Sequence, residues 1–379
     1  MKQLRTTGWT VLGLTAALLA GCEPKTESTV LVVQQPARPT LASDRDSQIT
    51  LFGGLPNRDE PAYAGRSRGA MLQHSFTQGG ADFDCHLNSD GSRFAFASTR
   101  HSQHPDLYVK SVDGTAVMQV TSDPSSDIQP AFSPDDQRIA FASNRTGNWD
   151  IWIIDIDGQQ PIQVTNTPMD EVHPSWSPDG SQLVYCALPA TSGQWELWIA
   201  PAAEHAPATF VGHGVFPEWS PVDDRIVYQR SRQRGGRWYS IWTMTMTGGE
   251  PKYPTEVAYS ADFALILPAW SRDGSQIAYT TVASIPDIDP EFGQAYQTSD
   301  IWMINVDGGT PVRLTDAHTV NFGPAWSPNG RVYFASGRSG NETIWSIMPT
   351  ISGDATTPME GTDHAPHVTT TADRAHDGS

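Results

Sequence analysis

Trp176-Ser177-Pro178-Asp179-Gly180 is a short turn whose variants recur along the sequence. The other copies are Asn88-Ser89-Asp90-Gly91, Phe132-Ser133-Pro134-Asp135-Asp136, Trp219-Ser220-Pro221, Trp270-Ser271-Arg272-Asp273-Gly274 and Trp326-Ser327-Pro328-Asn329-Gly330. A period of about 44 residues, somewhat longer between the later copies, indicates one repeat architecture rather than several unrelated domains.

The segments between the turns predict short strands. A turn is followed first by an alternating run such as Leu183-Val184-Tyr185, then by a pair such as Ile151-Trp152, and last by a pair such as Val164-Thr165. Aromatic and β-branched residues of this kind favour strands. Most of the 13 tryptophans stand before the turn serine or in the third strand, which predicts that they pack one sheet onto the next. Four strands per unit are typical of a β-propeller blade.

The last unit of the repeat is incomplete, since no fourth strand follows residues 344–348. Residues 72–77 lie at the right distance before the first turn to supply that strand. Pairing them into the last unit would join both ends of the repeat and remove open sheet edges. The sequence therefore predicts an all-β, six-bladed β-propeller over residues 71–350, closed by an N-terminal strand that completes the last blade.

The N-terminus carries the features of an export signal. Lys2 and Arg5 precede an apolar stretch over residues 11–19, and Leu19-Ala20-Gly21-Cys22 ends it. This pattern resembles the lipobox of bacterial lipoproteins, which implies that residues 1–21 are a removed signal peptide and that Cys22 is lipidated. The alternative is a cleaved secretory signal with an incidental cysteine. We expect a domain on the periplasmic side of a bacterial membrane, with the outer membrane favoured.

The composition limits which partners and which disulfides the chain can have. It has 379 residues, a formal net charge of -18 and three cysteines. The acidic excess argues against nucleic acid as a partner, because phosphates repel it. Three cysteines cannot form a disulfide framework, so we expect Cys85 and Cys186 to be buried free thiols. Residues 22–70 and 351–379 predict a flexible tether and a disordered C-terminal tail.

One complete repeat carries a resemblance to a known family. Asp127-x-x-Pro130-x-Phe132-Ser133-Pro134-Asp135 is followed by Ser143-Asn144-Arg145, Asp150-Ile151-Trp152 and Asp157-Gly158. This pattern resembles the propeller repeats of the TolB family, over residues 71–350. The resemblance implies a six-bladed propeller that binds a protein of the cell envelope. TolB proteins carry an α/β domain before the propeller, where this sequence has only the tether, so the whole TolB role does not transfer.

Strand direction predicts which face of the propeller binds a ligand. The loops into first strands and those between second and third strands share one face, opposite the Ser-Pro-Asp-Gly turns. The fifth unit has an insertion there, at about residues 282–299, with Asp287, Asp289 and Glu291, and the fourth unit has a basic loop. The arginines of that loop are Arg230, Arg232, Arg234 and Arg237. Insertions on one face of a repeat protein often mark its binding side; the alternative is drift in a solvated loop.

Polar residues near the start of the inner strands are candidate ligand-binding residues, because a radial fold brings these positions to the mouth of the central channel. They are Asp84, Asp127, Gln129, Glu171, His173, His213 and Asn321. Carboxylates and imidazoles gathered there could hold a divalent cation or the amines of a partner. The alternative is that each acid caps its own loop by accepting backbone N–H groups.

Arginines and aspartates recur at the hairpin between the second and third strands. They are Arg100, Arg145, Arg338, Asp106, Asp150 and Asp300. We expect each Arg–Asp pair to brace its own hairpin, with a phosphate site as the alternative.

Catalytic motifs are scarce. Gly65-Arg66-Ser67-Arg68-Gly69 fits G-x-S-x-G by letter but lies in the tether, without the strand and helix that a nucleophile elbow needs. The sequence therefore favours a monomeric, lipid-anchored propeller that binds an envelope or peptidoglycan-associated protein without a cofactor. The alternative is a metal-assisted polysaccharide lyase or hydrolase with its site at the channel mouth near Glu171, His173 and His213.

Overall fold

Six four-stranded antiparallel sheets make up the structure, a computed structural model that describes residues 69–349 apart from 78, 158–159, 191, 232–238, 261–262, 284–298 and 317–318. Within those ranges the regular elements are all strands, and no helix long and apolar enough to cross a bilayer is found there. The prediction of an all-β, six-bladed propeller is confirmed.

Blades 1 to 3 follow one another along the chain, each running from the channel outward. Blade 1 contains β2 (Asp82–Leu87), β3 (Arg93–Ser98), β4 (Asp106–Ser111) and β5 (Val117–Gln119). Blade 2 contains β6 (Asp127–Phe132), β7 (Arg138–Ser143), β8 (Asp150–Asp155) and β9 (Ile162–Gln163). Blade 3 contains β10 (Asp170–Trp176), β11 (Gln182–Leu188), β12 (Glu196–Pro201) and β13 (Thr209–His213).

Blades 4 to 6 repeat the arrangement, and the last one takes its outer strand from the start of the propeller. Blade 4 contains β14 (Val215–Trp219), β15 (Arg225–Ser231), β16 (Tyr239–Thr247) and β17 (Glu250–Ala258). Blade 5 contains β18 (Phe263–Trp270), β19 (Gln276–Ala283), β20 (Ser299–Asn305) and β21 (Val312–Arg313). Blade 6 contains β22 (Asn321–Trp326), β23 (Val332–Ser336), β24 (Thr343–Ile347) and β1 (Leu72–Gln73).

The N-terminal strand β1 lies antiparallel to β24 in the sheet of blade 6. Leu72 stands opposite Ser346 and Gln73 opposite Trp345. The strand is shorter than the run 72–77 that the sequence predicted, although the N–H of His74 still donates to the carbonyl of Ile344 at 2.8 Å. Inner strand β2 of blade 1 packs against β6 of blade 2 and against β22 of blade 6, so the blades form a ring.

Every inner strand is interrupted by a bulge at the same repeat position. The bulge residue has a left-handed φ, between 51° and 64°, in all six blades. These residues are Asp84, Gln129, His173, Phe216, Leu267 and Gly323. A proline follows in five blades and Cys85 in the first. Because residues before proline normally stay extended, the surrounding blades must hold this conformation in place.

Aromatic residues between the blades form the core, as the sequence predicted. Trp270 is 2% exposed, and its indole N–H donates to the backbone carbonyl of Glu218 in the preceding blade at 3.1 Å. The guanidinium of Arg225 lies 4.9 Å from the centre of the Trp270 ring. Trp270 therefore joins two sheets through its buried surface, a hydrogen bond and a stacked cation.

The two cysteines of the described region are free and buried, which confirms that prediction. Burial raises the pKa of both the Cys85 and the Cys186 thiol to about 12. Both side chains therefore act as small apolar groups rather than as nucleophiles.

Candidate functional site

A cavity of 370 Å³ lies in the central channel. Its wall is formed by the inner strands from the bulge onward and by the Ser-Pro-Asp turns that follow them. Three residues of those turns, Ser89, Pro134 and Pro328, are solvent-exposed and form its rim. The cavity is therefore in the turn-side half of the channel, whereas the sequence placed the ligand on the opposite face.

Three of the predicted site residues, Asp84, Gln129 and His173, line this cavity. They occupy the bulge position in blades 1 to 3. The side chains of Asp84 and Gln129 also accept a hydrogen bond from the bulge of the next blade. The N–H of Gln129 donates to the Asp84 carboxylate, and the N–H of His173 donates to Gln129 Oε1 at 2.8 Å. The bulge leaves these N–H groups outside the strand ladder, so a side chain from the neighbouring blade satisfies them.

Two further polar residues line the cavity one step closer to the turns. His86 Nδ1 accepts from the N–H of Phe132 at 3.1 Å, and Glu218 Oε1 accepts from the N–H of Trp270 at 3.0 Å. The sequence analysis missed both residues. The available signal was weak, since the same position holds Ser175 or alanine in the other blades.

Burial keeps most of these groups neutral. It lowers the pKa of His86 to about 3 and that of His173 to about 4, because an imidazolium would lose its hydration in the channel. It raises the pKa of Asp84 to about 7 and that of Glu218 to about 8 for the same reason. His86, His173 and Glu218 thus offer hydrogen-bonding groups with little charge near neutral pH, whereas Asp84 titrates there.

Arg272 is the cationic side chain among the described residues of the cavity wall. It comes from the turn of blade 5 and crosses to blade 1, where Nη2 donates to the carbonyls of Leu87 at 2.5 Å and Asn88 at 3.1 Å. Arg272 belongs to the repeated turn and was not among the predicted site residues.

The other inner-strand candidates do not face the cavity. Asp127, Glu171 and Asn321 stand two residues before the bulge and are completely buried between strands. Arg145 Nη2 lies 2.9 Å from Asp127 Oδ1, and Arg338 Nη2 donates to Asn321 Oδ1 at 2.8 Å. These contacts tie the first strand of a blade to the hairpin beyond it, which is a structural task.

Among the described residues, no arginine pairs with Glu171. The hydroxyl of Thr167 donates to its carboxylate. Burial, with Asp150 nearby, raises the pKa of Glu171 to about 8, so the side chain carries a proton at neutral pH.

The predicted partners of the hairpin arginines were wrong. Arg100 lies 2.8 Å from Asp82 and Arg145 pairs with Asp127, both at the start of inner strands, rather than with Asp106 and Asp150. Asp300 instead pairs with Arg313 at 2.6 Å. The guanidinium of each hairpin arginine stacks on aromatic rings of its own blade, as Arg145 does on Trp152 at 4.8 Å, and this stacking aims it at the inner strand.

The remaining candidates fall elsewhere. His213 ends outer strand β13, where it is exposed and lies 5.3 Å from the Phe210 ring. Glu171, His173 and His213 therefore do not share one cavity, and no group of three His, Cys, Asp or Glu residues in the described ranges could hold a metal ion. Cys22, residues 1–68 and 350–379, the insertion at 284–298 and the loop at 232–238 lie outside the described residues.

Comparison with known proteins agrees with this architecture. The TolB beta propeller domain, PD40, matches residues 83–258. An uncharacterized protein of Agrobacterium fabrum, Atu1656, is 28% identical over 138 residues, which is 36% of this chain and 39% of that protein. The match thus spans about two fifths of the relative's length.

Two solved structures share the fold at low sequence identity. A protein assigned as TolB from Agrobacterium tumefaciens has a TM-score of 0.53 at 18% identity, covering 72% of this chain and 91% of its own. An oligogalacturonate lyase from Vibrio parahaemolyticus has a TM-score of 0.50 at 13% identity, covering 74% and 94%. Similarity at this level shows the fold alone. With the match to the repeat itself, it establishes that this chain carries a TolB-like β-propeller.

Proposed function

We propose that this protein is a periplasmic, lipid-anchored module that binds an envelope or peptidoglycan-associated protein, part of which enters the central cavity from the turn side. The observation that carries this proposal is the cavity itself. Its rim residues are exposed, its volume of 370 Å³ suits a few side chains, and its wall presents hydrogen-bonding groups from three successive blades.

The rigidity of the wall supports a binding role. The cavity residues Asp84 and Gln129 are already fixed by bonds to the next blade, so little side-chain entropy is lost when a ligand arrives. A binding surface of this type needs no cofactor. It also fits a monomer, because the ring closes on itself and leaves no sheet that a second copy must complete.

The anchor rests on Leu19-Ala20-Gly21-Cys22 and the tether on residues 22–70. Acyl chains on Cys22 would hold the module at the membrane through buried methylenes. The tether would then let the propeller reach a partner in the periplasm, with the outer membrane as the favoured site of attachment. Replacing Cys22 with serine should abolish incorporation of labelled palmitate and release the protein from the membrane fraction.

A site-specific crosslink tests the binding face. A photoreactive amino acid replaces Pro134 at the cavity rim in the full chain, and the matched control replaces Met118, exposed on outer strand β5. Irradiation of cells should give one dominant adduct from position 134 and none of the same mass from position 118. Mass spectrometry should identify the adduct as one envelope protein. Equal adducts from both positions, or none from position 134, would contradict the proposal.

A further inference from the structure

Arg272 departs from the pattern of its own repeat. The equivalent turn position is proline in four blades and serine in blade 1, and all six side chains line the cavity. These residues are Ser89, Pro134, Pro178, Pro221, Arg272 and Pro328. Proline at this position is compatible with the turn, so the fold does not require an arginine here. The long charged side chain therefore calls for an explanation in the cavity.

The contacts of Arg272 leave most of its binding capacity unused. A guanidinium has five N–H donors in a planar fork, and the bonds to Leu87 and Asn88 come from Nη2 alone. None of the ion pairs among the described residues includes Arg272. The nearby carboxylate of Asp136 is held by Asn88 and Ser89, with Ser89 Oγ donating to it at 2.6 Å.

The carboxyl groups of Glu218 and Asp136 lie near Arg272, but neither forms an ion pair with it among the described residues. Burial keeps Glu218 protonated by raising its pKa to about 8, and it keeps His86 uncharged by lowering its pKa to about 3. A half-buried guanidinium without a carboxylate at ion-pair distance is rare, because charges removed from water are normally paired. Its planar fork matches a carboxylate, which can accept two parallel N–H bonds.

We propose that the cavity binds its ligand through a carboxylate group and that Arg272 is the residue that holds this group. The backbone carbonyls of Leu87 and Asn88 fix the guanidinium from one side and leave its other edge for the ligand. Leu267, Ala325 and the open space beside Gly323 belong to the apolar part of the wall and would receive an apolar portion of the same ligand.

The carboxylate has two possible sources, a free small molecule or the C-terminus of the protein partner proposed above. In the second case the inference rests on the proposed function. The two fail separately: binding of a small carboxylate without a rim crosslink would leave the Arg272 site standing and remove the protein-binding role.

The probes are N-acetyl-leucine and N-acetyl-leucinamide, which differ only in the carboxylate. They are titrated into the full chain without its signal peptide, with Cys22→Ser, and followed by tryptophan fluorescence and calorimetry at pH 6.5. We expect saturable binding of the acid and at least about ten-fold weaker binding of the amide, as the loss of a charge-assisted pair predicts. An acetylated heptapeptide with a free terminal leucine is the third probe. Tighter binding than the acid points to a partner's C-terminus, and equal binding points to a small molecule.

Two variants and one control decide the assignment. Arg272→Pro restores the repeat consensus and Arg272→Met keeps the length of the side chain, and both should lose the preference for the acid. Arg313→Met removes an arginine that pairs with Asp300 outside the cavity and should keep the preference. Thermal melts verify that all three variants are folded. Equal affinity for acid and amide in the parent protein, a preference retained by Arg272→Pro, or no saturable binding of either probe would overturn the proposal.

Discussion

Blades 1 to 3 and blades 4 to 6 share one backbone but differ at the two positions that border the channel. Two residues before the bulge, the first half has acids and the second half does not. The residues are Asp82, Asp127 and Glu171 against Gly214, Leu265 and Asn321. At the bulge the first half is polar and the second is apolar or glycine. The residues are Asp84, Gln129 and His173 against Phe216, Leu267 and Gly323.

The difference shows that the N–H group at the bulge, which needs a hydrogen-bond acceptor, obtains it from different residues in the two halves. In the first half, bulge side chains accept the bulge N–H of the next blade, as Gln129 Oε1 does from His173. In the second half the acceptor comes from a second strand instead. Gln229 Oε1 accepts from the N–H of Leu267 at 3.3 Å, and Thr280 Oγ1 accepts from that of Gly323 at 3.2 Å. The polar wall of the cavity therefore has a structural task as well as a surface for a ligand.

The largest effect should follow from replacing the acid of blade 2 with the leucine that blade 5 carries at the same position. Asp127→Leu removes the buried carboxylate that faces the Arg145 guanidinium and leaves the partly exposed Asp123, 3.0 Å away, as its ion-pair partner. Loss of one partner of a buried pair costs about 3–5 kcal/mol. Urea denaturation of the variant should show this loss in the free energy of unfolding.

Asp127→Asn is the matched control, because it imitates Asn321, whose amide oxygen already accepts from Arg338 in blade 6. We expect it to cost well under half as much as Asp127→Leu, since an acceptor for Arg145 remains. If the two variants were equally destabilised, an asparagine could not replace the acid as the acceptor for the hairpin arginine. The comparison between the two halves would then fail.

The next largest effect is a pH dependence of the free energy of unfolding, which arises from Glu171 in blade 3. Burial raises the pKa of Glu171 from its usual 4.5 to about 8, so the folded state keeps a proton that the unfolded chain has already lost. The contribution of Glu171 is complete below about pH 4.5 and is lost as the pH rises to about 8. Between pH 5 and pH 9 the free energy of unfolding should fall by about 4 kcal/mol through this residue.

Glu171→Gln should remove that part of the pH dependence, because the amide cannot ionise and its oxygen can still accept from Thr167. The measurement is a series of urea melts at pH 5, 7 and 9. Glu204→Gln, at an exposed glutamate, controls for the loss of one negative charge. A Glu171→Gln profile parallel to that of the parent protein would show that Glu171 is ionised in the fold.

The same comparison explains how much of the fold and of the site could be predicted from the sequence. Repeat spacing predicted six blades, and the periodic tryptophans predicted the interblade core, because both depend on a pattern that every unit must keep. The sequence could not predict that the side chains of Asp127 and Gln129 lie in different places. Residues two apart in a regular strand share a face, but the bulge at Gln129 separates them: the carboxylate lies between strands and the amide faces the cavity.

Arg272 was missed for a different reason. Its signal was present in the sequence as the departure from Ser-Pro-Asp-Gly in blade 5. The residues expected to bind a ligand were acids and imidazoles on the loop face, and the turns lie on the opposite face. A turn that must only reverse the chain should keep its consensus, so the departure itself was the useful observation. The hairpin arginines were misassigned because their stacking on aromatic rings, which directs them to the inner strand, depends on tertiary contacts.

The smallest effect concerns Gly323, which has the bulge position of blade 6 and a φ of 64°. A Cβ at this residue would meet nothing within 4 Å, so Gly323→Ala introduces only the strain of a left-handed alanine, about 1 kcal/mol. Five other blades already hold a non-glycine residue in this conformation, and the Thr280 bond to the N–H of Gly323 is untouched.

Gly91→Ala is the matched contrast. The φ of Gly91 is 72°, but the new Cβ would lie 2.7 Å from Pro328 Cδ and 2.6 Å from Ser327 Oγ. Urea melts should therefore show a clearly larger loss of stability for Gly91→Ala than for Gly323→Ala. If Gly323→Ala were the more damaging of the two, the bulge of blade 6 would depend on glycine itself, and the six inner strands could not be treated as one backbone with interchangeable side chains.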